Sequence, residues 1–360
     1  MRKKERDIRV ELLRIACCLS VIMLHCKPSS IINGEPSFPR YLFSNLIADP
    51  VSIFLLITGF YFSLSSSYRE NLLKNIKRIF LPLLFYTFVI LLLSGGLSSL
   101  SALAHSLIAV GECLITWTPR IHNTGHLWYL YVHLLIILLS PIIQHILVFI
   151  NESYSRHYIT LVAIPVLFWI NDLLSNNLFH CSQIPITSLL PGVLLVILGN
   201  TVFRLMMDFP NLHRFAPLYL ITYIVINLYR AKMLTAGTIQ MSDATFSASG
   251  VLSALMVCFF VLSFPESTKP LFHPVNFISS FTLDIYIWHV IMMELTLTTG
   301  LKMAFISLIT DGSESITMYL RYTILYAMMI MVLCALWSFV MKSVKHLFTL
   351  ALSKKKSTTF

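Results

Sequence analysis

The stretch Arg9-Val-Glu11-Leu-Leu-Arg14-Ile-Ala-Cys-Cys-Leu-Ser-Val-Ile-Met-Leu-His25-Cys26 opens the apolar part of the chain and decides its fold. It predicts a membrane-spanning helix that nevertheless carries charged and titratable side chains. Arg14 and His25 are separated by about three helical turns, so they share nearly one face, roughly 16 Å apart along the axis. Ionisable groups inside a span usually face protein or a watery cavity, which makes this face a candidate active site. An Arg14 that reaches lipid headgroups and a His25 that caps the helix end would explain the same pattern.

The composition is typical of a polytopic membrane protein. Of the 360 residues, 57% are hydrophobic and 12% are charged, about half the charged fraction of a soluble protein. The net charge of +10 does not indicate nucleic-acid binding, because the basic residues lie at the ends of apolar runs. The N-terminal run resembles a signal peptide but lacks a small-residue cleavage site, so we expect it to be retained.

Apolar segments long enough to cross a bilayer recur along the chain and predict an all-α fold of about ten transmembrane helices. These segments fall at 8–26, 45–66, 78–98, 127–149, 157–174, 188–206, 214–230, 247–264, 277–297 and 318–341. A shallow eleventh helix near 99–118 is left open. Gly59 in the second segment is a small residue that allows another helix or a ligand to approach the backbone closely. We expect residues 1–350 to form one membrane-embedded domain and residues 351–360 to form a short basic cytoplasmic tail.

The distribution of basic residues predicts the orientation of these spans. With both termini inside, nineteen of the 26 Lys and Arg residues face the cytoplasm and seven face the outside, as the positive-inside rule requires. This arrangement places His25 toward the outer face and Arg14 toward the inner one. We therefore expect a multi-pass membrane protein with both termini in the cytoplasm, in contact with membrane lipids.

A basic segment precedes the third predicted span. It contains Lys74, Lys77 and Arg78, and Pro82 follows near the start of the span. These cations on the inner side are candidates for binding a polyanionic ligand such as a nucleotide diphosphate. Contact with anionic lipid explains the same residues equally simply.

Histidines and aromatic residues cluster where the fourth predicted span begins, in His126-Leu-Trp128-Tyr129. Trp and Tyr are common at membrane interfaces, but His126 on the same side as His25 is a candidate for substrate contact. We interpret His133, one turn or more inside, as an interior histidine with satisfied hydrogen bonds.

The ninth predicted span carries Asp284, His289 and Glu294, and three titratable groups in one span indicate a polar cavity. Five residues turn a helix by about 500°, so Asp284 and His289 are expected to serve different neighbours.

Missing motifs narrow the chemistry. The sequence has no GxSxG, GxxxxGK, GxGxxG or HExxH motif, which disfavours serine hydrolases, P-loop ATPases, dinucleotide oxidoreductases and zincins. The seven cysteines show no metal-ligand spacing, although a disulfide among Cys26, Cys113 and Cys181 is left open. A secondary transporter or flippase would use the same buried charges as a proton path, but no inverted repeat is evident.

The motifs together resemble those of the integral-membrane type 3 acyltransferases. The resemblance rests on the Arg14–His25 spacing with Glu11 before it, the run Phe54 to Phe60, and the later segments, namely Lys77-Arg78-Ile79 with Pro82, His126-Leu-Trp128-Tyr129-Leu130, and Ser279 to His289. The family's first acidic residue is usually Asp. Its pair of arginines three residues apart falls at Asn75 and Arg78, so only the second is present, and Lys74 or Lys77 substitutes for the first.

This resemblance implies transfer of an acyl group, acetyl by default, from cytoplasmic acyl-CoA to a hydroxyl of a surface glycan or a lipid-linked glycan. Acetyl-CoA would be a co-substrate, with no tightly bound cofactor and no metal. Arg14, Lys74, Lys77 and Arg78 would hold the CoA phosphates, and His126, Trp128, Tyr129 and His289 would contact the acceptor. His25 would be the general base, since imidazole has an ordinary pKa of about 6.5; a His25 that is itself first acylated is left open. Glu11, one turn from Arg14, would fix its guanidinium.

Overall fold

A computed structural model gives the architecture of the chain. It describes residues 7–62, 67–91, 125–174, 188–238, 246–265, 273–309 and 315–357, with a few single residues between 99 and 112. The described residues are mainly helical, and a two-stranded antiparallel hairpin, β1 (Ile31–Ile32) and β2 (Glu35–Pro36), follows the first helix. The expectation of an all-α fold is therefore confirmed.

The described part of the chain forms fifteen α-helices. The first eight are α1 (Ile8–Cys26), α2 (Phe38–Leu46), α3 (Pro50–Phe60), α4 (Tyr68–Asn75), α5 (Leu81–Leu91), α6 (Trp128–Leu138), α7 (Ser140–Asn151) and α8 (Tyr154–Leu173). The remaining seven are α9 (Leu189–Asp208), α10 (Ala216–Thr235), α11 (Ala248–Leu262), α12 (His273–Ser279), α13 (Thr282–Thr298), α14 (Leu301–Ile309) and α15 (Ile316–Ser357). Helix α15 thus continues through most of the segment predicted as a basic tail.

Membrane-spanning character is clear for part of this bundle. By length and composition, three described segments are able to cross a bilayer, namely Phe38–Phe60, Leu189–Asp208 and Ile316–Ser343. Two bent helix pairs raise the number to five if each pair is one span. Helix α1 carries three charged residues and is not among these segments. The predicted count of ten spans is therefore not confirmed.

Two of the predicted spans are broken rather than continuous. The segment 127–149 bends by 70° between α6 and α7, where Pro141 lacks an N–H and its ring excludes the carbonyl of Ile137 from the helical position. The segment 277–297 is interrupted between α12 and α13, where the Thr282 hydroxyl donates to the carbonyl of Ser279. Such side-chain bonds compete with helical backbone bonds.

Helix α1 lies at the centre of the bundle and packs against α3, α11, α12, α13 and α15. Helix α3 packs closely on α9 at two glycines. A Cβ on Gly59 would overlap the Val196 carbonyl oxygen, and a Cβ on Gly199 would overlap that of Leu56. Small residues allow such backbone approach between membrane helices, as predicted for Gly59.

A buried ion pair joins α10 to the start of α3. Arg230 is 1% exposed, and its Nη1 and Nη2 atoms donate to the two carboxylate oxygens of Asp49 at 2.8 and 3.2 Å. Arg230 also donates to the Asn227 amide oxygen at 3.2 Å. This buried pair links the start of α3 to α10.

Candidate active site

The site is built first on the charged turn of α1. Glu11 is 1% exposed, and its two oxygens accept from Nη1 of Arg14 at 3.1 and 3.0 Å. Tyr61 of the C-terminal end of α3 donates to Glu11 at 3.4 Å, and its ring lies 5.4 Å from the Arg14 guanidinium. The predicted pairing of Glu11 with Arg14 is present. It uses only Nη1 of the Arg14 guanidinium.

Arg14 borders a cavity of about 380 Å³ between α1, α3, α4, α6 and α13. Lys74 and Arg78 also line the cavity, together with the amide side chains of Asn71 and Asn75. Three cations and two amides therefore converge on one space. This is a donor set suited to phosphate oxygens.

A widened helical turn at residues 76–80 helps to place Arg78. This segment is a π-helix, in which the N–H of Leu81 reaches back five residues to the carbonyl of Ile76. Pro82 follows and has no N–H with which to bond the carbonyl of Arg78, so a regular α-helical turn cannot form there. Arg78 lines the cavity, whereas Lys77 is exposed and is not among the lining residues. Of the three basic residues predicted to bind one ligand, Lys74 and Arg78 therefore line the cavity and Lys77 does not.

A second feature, the histidine cluster, is formed by His25, His126 and His289. The ring centroids of His25 lie 6.2 Å from His126 and 5.1 Å from His289, and those of His126 and His289 lie 4.8 Å apart. His25 is exposed, whereas His126 is 8% and His289 0% exposed. Helices α1 and α13 and the turn before α6 thus bring together residues separated by up to 264 positions.

His289, which was expected from the sequence to contact substrate, has a fully buried ring. Its Nδ1 lies 2.8 Å from the carbonyl of Tyr286, and its Nε2 has no hydrogen-bond partner among the described residues. Its neighbours are the other two histidines of the cluster. His289 therefore lies beside the exposed ring of His25.

Three aromatic side chains lie between the cavity and the histidine cluster, and we call them the aromatic layer: Phe54, Tyr129 and Tyr286. Their ring centroids lie 5.6 to 6.3 Å apart, and all three line the cavity. No residue of the histidine cluster lines it. The cavity therefore ends at this layer.

The order of residues along the helices fixes the position of the layer. On α13, Thr282 lines the cavity, Tyr286 follows one turn later, and His289 belongs to the cluster. On α6 the order is reversed, with the cluster at His126, the layer at Tyr129, and the cavity again at His133. Helices α6 and α13 therefore run in opposite directions past the same three levels.

The hydroxyl of Tyr286 links the aromatic layer to the histidine cluster. It donates to the backbone carbonyl of His126, and the Tyr286 ring lies 6.1 Å from the His126 ring. Tyr286 is 5% exposed. Its spacing from His289 is helical, but the sequence offered no reason to assign it a role, because a tyrosine in a membrane helix is ordinary.

Other predicted site residues have different surroundings. Trp128 packs edge-on against Phe246 at 5.9 Å and belongs to neither the cavity nor the cluster. Tyr129 lies in the aromatic layer. Asp284 pairs with Lys342 at 2.9 Å, so it serves a different neighbour from His289, as predicted.

The interpretation of His133 as a satisfied interior histidine is wrong. His133 lines the cavity, and its buried Nδ1 has no hydrogen-bond partner among the described residues. The position of His133 within its apolar segment did not show whether its imidazole lies inside the bundle or at a cavity wall.

The cysteines and histidines show no metal centre in the part of the chain that the structure describes, since no three ligating side chains are placed to hold an ion. Cys26 is a free, buried thiol whose Sγ lies 3.7 Å from the carbonyl of Thr323. Cys113 and Cys181, the other candidates for a disulfide, lie outside the described residues, as does most of the segment 99–118.

A comparison with protein-family models matches residues 7–341 to a model described as an acyltransferase domain, of type 3. This match covers nearly the whole chain. The chain belongs to the type 3 acyltransferase family. No curated protein and no solved structure matches it.

Membership of the type 3 acyltransferase family confirms the resemblance drawn from the motifs. The chain is an acyltransferase, and its apolar helices indicate a membrane protein. The matched region contains the cavity, the aromatic layer and the histidine cluster. The site of acyl transfer is therefore to be sought among these three features.

Proposed function

We propose that this type 3 acyltransferase moves an acyl group, acetyl by default, from cytoplasmic acyl-CoA to a hydroxyl of an extracytoplasmic surface glycan. The acceptor would be an O-antigen, capsule, exopolysaccharide or a lipid-linked precursor. The observation that carries the proposal is that α1 presents Arg14 to a cationic cavity and His25 to the histidine cluster, on opposite sides of one aromatic layer. A donor and an acceptor approaching from opposite sides would meet there.

The donor end of the proposed reaction lies in the cavity. Arg14, Lys74 and Arg78 would bind the phosphates of acyl-CoA, because each of them lines the space. Glu11 would hold the guanidinium of Arg14 through its Nη1 and leave Nη2 for a phosphate oxygen. Lys77 lies outside the cavity, and we assign it to contact with lipid phosphates.

The acceptor end lies at the histidine cluster. His25, the exposed member, would accept the proton of the acceptor hydroxyl as its oxygen attacks the thioester carbon. The new carbon–oxygen bond forms, the carbon–sulfur bond breaks, and CoA leaves as its thiol after taking a proton. His126 would contact the acceptor beside His25, and buried His289 would orient the His25 ring.

The membrane arrangement is part of the proposal. We propose ten spans in a bacterial cytoplasmic membrane, with both termini in the cytoplasm and residues 1–350 embedded. The positive-inside count supports this orientation, and the opposite directions of α6 and α13 past the site agree with it. The cavity with its cations then opens toward the cytoplasm, where acyl-CoA is made.

The test replaces the proposed base. We expect His25→Ala to abolish acylation of the surface polysaccharide, measured by mass spectrometry of polysaccharide from cells that lack the gene and carry either version on a plasmid. His145→Ala is the matched control, because His145 is an exposed histidine on α7 away from the cluster. Membrane abundance of both variants is measured on the same cells.

Acylation that persists in His25→Ala would remove the proposed base. A polysaccharide with the same mass in cells with and without the gene, combined with a change in how much of it reaches the surface, would instead identify a transporter or flippase. Loss of the acyl mass in His25→Ala and its retention in His145→Ala supports the enzyme.

A further inference from the structure

We infer that the aromatic layer is the acyl-size filter of this enzyme, so that Phe54, Tyr129 and Tyr286 restrict the donor to acetyl or a similarly short acyl group. The inference rests on the proposed function and adds the residues that determine donor specificity. It starts from the end of the cavity, whose wall includes the three rings but none of the three histidines.

The layer occupies the route that an acyl group would take. Arg14 and His25 both belong to α1 and are separated by three turns, roughly 16 Å. A CoA held at Arg14 therefore has to bring its thioester close to the level of Tyr286, and its acyl group then lies among the three rings when it meets His25. On α13 the same level lies between Thr282, which lines the cavity, and His289, which contacts His25.

The three rings are confined rather than loosely placed. Phe54 and Tyr129 are each 9% exposed and Tyr286 is 5% exposed. Tyr286 is anchored by its hydroxyl to the backbone of His126, and Phe54 lies in the helix that packs on α9 at Gly59. Closely packed rings on helices fixed in this way leave little volume for additional methylene groups.

An apolar wall of this kind discriminates by size. A substrate with one methylene more than a pocket accommodates reacts more slowly than the smaller substrate by a factor of about 10 to 200. Acetyl would fit among the three rings with small side-chain displacements, whereas butyryl would have to push at least one ring aside. The filter therefore predicts a preference that falls from acetyl to propionyl to butyryl.

The experiment measures the ratio of butyryl to acetyl transfer. Membrane vesicles from cells that make the acceptor polysaccharide receive radiolabelled acetyl-, propionyl- or butyryl-CoA, and label in the polysaccharide gives kcat/KM for each donor. We expect Phe54→Ala, which removes one ring from the layer, to raise the butyryl-to-acetyl ratio by about tenfold or more.

The matched control is Ile137→Ala, which removes a similarly buried apolar side chain from the cavity wall outside the layer. It should leave the ratio at the wild-type value. Phe54→Leu serves if Phe54→Ala does not accumulate in the membrane, and it should raise the ratio by a smaller factor. Phe54→Trp should lower the ratio of propionyl to acetyl.

The outcomes separate this inference from the function on which it rests. Wild-type vesicles that transfer acetyl, with a ratio unchanged in both Phe54→Ala and Phe54→Leu, would overturn the filter and leave the enzyme in place. A ratio raised equally by Ile137→Ala would also overturn it. Wild-type vesicles that label the polysaccharide with no acyl group would overturn the proposed function and the filter together.

Discussion

The Arg14–Glu11 pair and the Arg230–Asp49 pair both lie inside the helix bundle, but their surroundings differ. Arg230 is 1% exposed, and its carboxylate and amide partners use both of its terminal nitrogens. The Arg14 side chain is 21% exposed and donates to Glu11 only through Nη1. Within the part of the chain that the structure describes, Nη2 of Arg14 makes no hydrogen bond.

This difference distinguishes a structural charge from one that is free to bind. We call Arg230 and Asp49 the sealed pair, because they are only 1% and 5% exposed and both terminal nitrogens of Arg230 are hydrogen-bonded, so this pair is expected to hold helices together. We call Arg14 and Glu11 the open pair, because Arg14 donates to the carboxylate only through Nη1 and lines a cavity. Its other donors are therefore held in a fixed direction. The sequence alone does not separate the two cases, because both arginines occur in or beside apolar segments.

The largest expected effect is on stability, at the sealed pair. Arg230→Ala should lower the free energy of unfolding by about 3–5 kcal/mol, because it leaves the Asp49 carboxylate buried without its charged partner. Thermal unfolding of the detergent-solubilised protein measures the loss.

The double variant Asp49→Leu with Arg230→Met is the control for this prediction. Replacing both members of a buried pair by apolar side chains is often neutral, so the double variant should unfold near the wild-type temperature. A single Arg230→Ala variant as stable as the wild type would show that the pair does not hold α3 to α10.

A smaller effect, on catalysis, is expected at the open pair. Arg14→Lys should raise KM for acetyl-CoA by about tenfold, or roughly 1.4 kcal/mol, since an ammonium offers a point charge in place of a planar fork. Label transfer in membrane vesicles at increasing acetyl-CoA concentration gives KM. Stability should change little, because Lys still supplies a cation to Glu11.

Arg230→Lys is the matched substitution at the sealed site. It should reduce stability and leave KM for acetyl-CoA unchanged in the protein that remains folded. An equal rise of KM in both variants would contradict the distinction between a ligand-binding arginine and a structural one.

The smallest effect is expected from ionic strength. Raising salt from about 0.05 to about 0.5 M shortens the range of charge interactions to a few ångströms. Because salt would screen the attraction between the CoA phosphates and the cavity cations Arg14, Lys74 and Arg78, KM for acetyl-CoA should rise several-fold. The unfolding temperature should respond weakly, because the Arg230–Asp49 pair is shielded from solvent. A KM that does not depend on salt would argue against phosphate binding by these cations.

Several parts of the site followed from local sequence. The pairing of Glu11 with Arg14 and the close packing at Gly59 were predicted from helical spacing and residue size, and the structure contains both. The breaks within 127–149 and 277–297 were missed, because hydropathy averages over a window and does not register one proline or one hydroxyl bond to the backbone.

The roles of the aromatic residues could not be predicted from the sequence. Phe54, Tyr129 and Tyr286 come from three different helices, and nothing in the local pattern marks them as neighbours. His133 and Trp128 show the same limit, since one lies on the cavity and the other packs against Phe246. Which side of a helix faces a cavity depends on all of its neighbours.

The amino-acid sequence by itself determined the class of the protein, the family, and the placing of an arginine and a histidine on one face of the first helix. These properties depend on hydrophobicity and on helical periodicity, which act over a few turns. Only the tertiary structure decided that Arg14 opens on a cavity, that three distant histidines meet, and that a layer of aromatic rings separates the two. Such contacts join residues far apart in the chain, and they are set by how whole helices pack against one another.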